Sequence, residues 1–157
     1  MSRYLVDTNI WTRRLESGHR HHQSAKDALQ TLIGRGDELF VTPQVLIELC
    51  GFLTRPLLVR DATGKEVSGG LGLSIAQALG EVATIETICD LLPDTPDVWT
   101  QWKRLVLLYP PQGKAVHDAR HAAAMKVHGL THILTFNTKD FNRYAPEGIV
   151  PVDPRTV

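Results

Sequence analysis

Cysteine is nearly absent: the 157 residues hold two, Cys50 and Cys89, and neither belongs to a CxxC pair. That excludes a disulfide framework and leaves two buried, reduced thiols as the reading. Aromatics are scarce, at 6%, so a binding surface made of rows of stacked rings does not fit. No sign of charge dominates, because 17 Lys and Arg balance 17 Asp and Glu. No global positive field therefore attracts nucleic acid; such a partner needs a local patch, or metal ions set among the acids. No apolar run approaches the roughly 18 residues of a membrane span. The N-terminal run also stops at Asp7, too soon for a signal peptide. A soluble cytoplasmic protein with no membrane partner is expected.

What is present is ordinary globular composition, 43% hydrophobic and 22% charged. A single domain over residues 1–157 is expected. A chain of this length buries about 68–70% of its unfolded surface, enough for a core without staples.

Hydrophobic patterning predicts short strands at 3–6, 38–41, 88–92, 131–136 and 148–152. Helices are predicted at 10–16, 24–34, from Thr42-Pro43 to about residue 55, 74–86, 97–108 and 116–128, the last closed by Gly129. Residues 59–73 hold four glycines and read as a loop or lid, and 137–144 as a turn with a short helical piece. Strands alternating with helices argue for an α/β fold with a mostly parallel central sheet.

Ligands of such sheets bind beyond the carboxyl ends of the strands. Asp7 follows the first strand directly, and Asp140 follows the strand that ends at Phe136. Each has a plain structural reading, as a turn residue or a helix cap. Glu48 is the one charge in an apolar helix between Val45 and Leu53. A carboxylate buried there must be paired, neutralised or metal-bound, and an arginine is the simplest partner. Asp118 opens its helix, where the dipole alone favours an acid. Converged in one cleft, the four acids would suit a hard divalent cation, which prefers oxygen ligands and activates water for attack on a phosphodiester.

Four segments carry a resemblance. They are Leu5-Val6-Asp7-Thr8-Asn9, Thr42 to Leu49 around Glu48, His117 to Ala124 around Asp118, and Leu134 to Phe141 around Asp140. In order and spacing the chain resembles the PIN-domain ribonucleases, especially VapC-type toxins of toxin–antitoxin pairs. The resemblance spans nearly the whole chain. It implies a three-layer PIN-like sandwich, and it makes Asp7, Glu48, Asp118 and Asp140 the acidic set for Mg²⁺ or Mn²⁺. It gives Asn9 and Thr135 the task of ordering the acids and lines the site with Asn137. The implied reaction is metal-dependent endonucleolytic cleavage of RNA, tRNA or rRNA, by water. The implied partners are the RNA, a cognate antitoxin and a second copy of the chain, with helices near 45–53 and 74–86 available for an interface or for the core.

Arg13, Arg14, Arg120, Lys139 and Arg143 lie near the motifs and can hold phosphates, or serve solubility alone. Trp11 can stack a base or fill the core. His117 and His121 lie four apart and His19, His21 and His22 cluster, but a zinc site needs further ligands in place. An aspartyl-phosphate enzyme is a rival, weakened because Asn9 stands where the haloacid-dehalogenase type has a second Asp. Two further rivals are a PIN-type processing nuclease outside a toxin–antitoxin pair and a non-catalytic PIN-like binding module.

Overall fold

The computed structural model describes residues 1–157, apart from the side chains of Val59, Val67 and Ser68. Five short strands form one parallel sheet: β1 (Arg3–Val6), β2 (Glu38–Val41), β5 (Asp90–Leu91), β6 (His132–Leu134) and β7 (Val150–Val152). Their order is β5-β2-β1-β6-β7. Between β2 and β5 a separate antiparallel hairpin pairs β3 (Leu58–Arg60) with β4 (Glu66–Ser68).

The helices are α1 (Thr8–Leu15), α2 (His22–Gly34), α3 (Pro43–Thr54), α4 (Ile75–Glu86), α5 (Pro96–Leu108), α6 (Ala115–His128) and the one-turn α7 (Thr138–Phe141). Local chemistry sets their ends. Thr42 accepts a hydrogen bond from the Val45 amide ahead of Pro43 at the start of α3. Ser74 and Gln77 form a capping box on α4. Gly129 closes α6 at φ 67°, a left-handed conformation that glycine adopts without cost.

Side-chain alternation divides the core into two layers. Tyr4, Val6, Leu39, Val41 and Leu134 pack with α1 to α4. Leu5, Phe40 and Ile133 point to the other face and pack with α5 to α7. This is the expected α/β sandwich with helices on both faces of a parallel sheet.

Residues 59–73 are more ordered than a glycine-rich loop. Asp61 Oδ1 accepts from the Thr63 and Lys65 amides, which builds the turn of the hairpin. The return strand then docks on the end of α3: the amides of Gly70, Leu71, Gly72 and Leu73 donate to the carbonyls of Pro56, Phe52, Arg55 and Leu53. A Cβ at Gly70 would overlap the Phe52 carbonyl oxygen. Gly70→Ala is therefore expected to lower unfolding stability by about 1–3 kcal/mol, as forced overpacking does. Urea titration checks this, with Gly64→Ala, which meets no neighbour but sits at φ 80°, as a comparison limited to backbone strain.

Candidate functional site

The chain winds from β1 outward to β2 and β5, then returns to the far side of β1 as β6. The direction of winding reverses between β1 and β6, which is where open α/β sheets form their ligand crevice. Asp7 leaves the end of β1 and Thr135 the end of β6. A cleft of about 610 Å³ opens there, lined by Asp7, Thr8, Asn9, Glu48, Asp118, His121 and Asn137 among others.

Asp7 is 8% exposed. Its Oδ2 accepts from Thr135 Oγ1 at 2.6 Å and from Asn9 Nδ2 at 2.8 Å. Asn9 also donates to Thr135 Oγ1 at 3.0 Å and accepts from the Phe136 amide through Oδ1 at 3.1 Å. Thr135 Oγ1 accepts in turn from the Asn137 amide at 3.0 Å. The ends of β1 and β6 are thus tied together through one carboxylate. Burial pushes the Asp7 carboxyl above its ordinary pKa, although His121 and the Thr135 hydroxyl work against the rise.

Glu48 is half-buried on the second turn of α3. Thr8 Oγ1 donates to its Oε2 at 2.9 Å, and Gln44 Nε2 to its Oε1 at 2.7 Å. His121 Nε2 stands 3.8 Å from Oε2, an ion-pair distance rather than a hydrogen bond. Burial opposes ionisation at Glu48, but His121, Gln44 and Thr8 together outweigh it and bring its pKa down to about 2. His121 is itself buried. Desolvation lowers its pKa, yet Glu48, Asp7 and Asp118 more than reverse this and hold it above its ordinary value. The charge in the apolar helix is therefore met by a histidine and two neutral donors, with no arginine.

Asp118, in the first turn of α6, is pushed up to about 6 by burial and by the charges of Asp140 and Asp7. Asp140 is exposed and lines a neighbouring hollow with Lys139 and Arg155 rather than the cleft. Its amide bonds the Asn137 carbonyl in the turn that starts α7, which leaves its carboxylate outside while its field still reaches Asp118. Among the described residues, no three His, Cys, Asp or Glu side chains are drawn together tightly enough to cage an ion.

The donor chemistry nonetheless fits a hard cation. Asp7, Glu48, Asp118 and Asn137 face one cleft with oxygen atoms, the ligand type Mg²⁺ and Mn²⁺ take. Asp7 and Asp118 are held above their ordinary pKa by burial first and by neighbouring carboxylates second, and a cation among them would relieve both costs.

The basic residues divide. Arg120 spans from Gln44 Oε1, at 2.9 Å, to Asp94 Oδ2, at 2.9 Å. It so holds the amide that holds Glu48. Arg13 pairs with Glu16 at 2.7 Å. Arg14 lies over the Trp11 ring and lines a hollow with Lys26 and Ile33, away from the cleft. Arg143 is exposed on the turn after α7. Trp11 is fully buried and fills the core. His121, weighed from its spacing only as a zinc ligand, faces Glu48 instead. The sequence pattern did not single out Gln44 or Thr8, nor Arg55 and Lys114, the two cations on the cleft wall. Gln44 carried a usable signal, four residues before Glu48 on the same helix face. Arg55 and Lys114 carried none, since helix-end and loop residues meet there only through tertiary structure.

No curated protein matches the chain by sequence. Among solved structures it is similar to VapBC2 from Rickettsia felis, bound to a DNA fragment from its promoter. That match has 14% identity and TM-score 0.64, and covers 96% of this chain and 98% of that one. Mycobacterium tuberculosis VapC20, a Sarcin-Ricin loop cleaving toxin, matches at 19% identity and TM-score 0.62, over 95% and 98% of the two chains. DNA-bound VapBC from Salmonella typhimurium matches at 16% identity and TM-score 0.64, over 98% and 99%. At these identities the likeness is one of fold. The family model of the PIN domain matches residues 4–146, and the chain belongs to that family.

Proposed function

We propose that this protein is a Mg²⁺- or Mn²⁺-dependent endoribonuclease and the toxin of a toxin–antitoxin pair. The observation that carries the reading is the cleft at the end of β1 and β6, which Asp7, Glu48, Asp118 and Asn137 line together with Arg55 and Lys114. Asp7, Glu48, Asp118 and Asn137 would hold the cation, with Asp140 close by. When bound, the cation supplies a water of lowered pKa and offsets charge on the phosphodiester during displacement.

The chain's own residues do the rest. Thr135 and Asn9 fix Asp7 by hydrogen bonds on one oxygen. Gln44, Thr8 and His121 keep Glu48 ionised. Arg55 and Lys114 suit the phosphate oxygens of an incoming strand.

The likeness to VapC toxins, several of them solved with their VapB partners, supports an antitoxin partner. So do exposed apolar side chains around α3 and α4: Ile47 is 71% exposed, Leu57 66%, Ile75 61% and Leu79 54%. Inner residues of the same helices, Leu49 and Leu53 of α3 and Ala78 and Ile85 of α4, are core. These two helices thus serve core and surface at once, and the outer face suits an antitoxin or a second copy. Among the described residues no helix is long and apolar enough to cross a membrane.

The test is cleavage of a total tRNA and rRNA pool by antitoxin-free protein, with Mn²⁺ or Mg²⁺ and with chelator. Discrete metal-dependent fragments are expected. Intact RNA at every metal concentration, from protein that is folded by circular dichroism, would leave a binding module.

A further inference from the structure

A second hollow of about 340 Å³ adjoins the acidic cleft, and Asn9 and Asn137 line both. Its walls come from three distant segments: Arg13, His19, Arg20 and His21 from α1 and the loop after it, Phe136 from the end of β6, and Arg155 from the C-terminal turn. No carboxylate lines it, although two reach its cations from outside. Glu16 pairs with Arg13 at 2.7 Å, and Asp153 with Arg155 at 2.5 Å. Arg20 is exposed and its one described contact is with a neighbour's ring, Nε donating to His21 Nε2 at 3.2 Å. His21 also stacks on Phe136 at 4.8 Å between centroids and 24° between planes.

The histidine cluster has local work to do. His19 Nδ1 accepts from the His21 amide at 3.0 Å, and His22 Nδ1 contacts the Arg13 carbonyl at 3.1 Å. Burial first, then Arg20, Arg155 and Arg13, lower the pKa of His21. Three guanidinium groups from two segments, Arg13 and Arg20 from α1 and its loop and Arg155 from the C-terminal turn, therefore line one hollow around this ring. Glu16 and Asp153 offset two of the three charges, which leaves the Arg20 guanidinium as the one without a carboxylate partner among the described residues.

We infer that this groove receives the phosphodiester backbone of the RNA strand beside the scissile bond. The inference rests on the nuclease reading above and deepens it. The carboxylates at the centre of the cleft repel RNA, and Arg55 and Lys114 offset them only in part, so cations on the flank add the attraction that a chain of zero net charge lacks. The groove offers guanidinium groups, which fork onto phosphate oxygens, and a stacked His21–Phe136 pair that can back a ribose or base. It shares Asn9 and Asn137 with the cleft, so a strand seated in it adjoins the acids.

The test is fluorescence anisotropy of a labelled oligouridylate in Ca²⁺ buffer across a salt series, with Arg20→Glu and Arg20→Lys beside the native chain. Cleavage of the RNA pool in Mn²⁺ is assayed in parallel. Arg20 is exposed, so both variants are expected to fold. Arg20→Glu should weaken binding and reduce the slope of log K against log salt by about 0.7, the single-strand value for one phosphate. Arg20→Lys should restore the slope, which a structural role for the guanidinium would not allow. Unchanged affinity and slope in Arg20→Glu, in a protein that still binds and cleaves RNA, would overturn the groove and leave the nuclease standing. An Arg20-dependent slope without cleavage would keep the groove and remove the nuclease. No RNA binding by the native chain would remove both.

Discussion

Asp7→Asn is expected to remove RNA cleavage while leaving the fold intact or firmer. The two effects have one cause. Asp7 is buried and its carboxyl is held above its ordinary pKa, so its negative charge costs folding free energy at neutral pH. Asparagine is nearly the same size. Its Oδ1 can accept from Asn9 and Thr135, which both donate to Asp7 Oδ2. The substitution thus keeps both hydrogen bonds and deletes a costly charge. On the nuclease reading proposed above, what it removes is a ligand for the cation, and with it charge stabilisation at phosphorus. Loss of one preorganised electrostatic element costs on the order of a hundredfold to a thousandfold in rate. Initial rates on the RNA pool and thermal melts in chelator check both halves. A variant that cleaves as fast as the native chain would take Asp7 out of the chemistry. A variant that melts far below it would make Asp7 a structural residue first.

The fold was legible in the sequence because its signals are local. In the strands at Arg3–Val6 and Glu38–Val41 one charged residue leads an apolar run, Tyr4 to Val6 and Leu39 to Val41, that polar residues then cut off, and a doubly covered parallel sheet requires such runs. Thr42-Pro43 and Gly129 marked helix ends by capping chemistry. The hairpin of β3 and β4 was harder to read. Its strands are three residues long and its glycines resemble loop glycines, yet they answer to the carbonyls at the end of α3. Asp61-Ala62-Thr63-Gly64 was the one local sign of a turn there.

The candidate site was legible in part. Asp7 stood out at a strand end, and Glu48 as a lone charge in apolar company. A charge so placed needs a compensating partner, and the structure supplies His121 with Gln44 and Thr8 where an arginine was the simplest candidate. Trp11 beside the first motif offered a stacking surface on paper, but it lies under the sheet as core. Arg120, which by its place in the sequence could hold a phosphate or serve solubility alone, is engaged by Gln44 and Asp94. Apart from Gln44, which lies one helical turn from Glu48, these outcomes depend on contacts between residues tens of positions apart, which no window of sequence contains.

In chelator, stability is expected to fall as pH rises from about 4 to 7, and Mn²⁺ or Mg²⁺ is expected to reverse the trend. Asp118 has its folded pKa raised from 3.8 to about 6. Between those values the native state binds more protons than the unfolded one, so ionisation progressively destabilises it, with the full penalty present above pH 6. Asp7, also raised, adds to the same direction. His121 has its folded pKa raised above 6.5; the stability from its imidazolium is present below that value and is lost as pH climbs through the folded one. Glu48 acts elsewhere. Its pKa is lowered from 4.5 to about 2, so its stabilisation is present above 4.5 and is lost only as pH falls toward 2. The metal-free optimum should therefore lie on the acid side of neutrality. A cation binds the ionised carboxylates and releases their protons, so its affinity rises with pH through the same window. At a hundred times its Kd it adds about 2.7 kcal/mol to the native state. Melting temperatures measured from pH 4.5 to 8, in chelator and in saturating Mn²⁺, should diverge as pH rises through about 6 and stay apart above it. Parallel curves would mean that the cation does not bind at these carboxylates. Asp118→Asn provides the control: it should flatten the chelator curve above pH 4 and shrink the gap between the two.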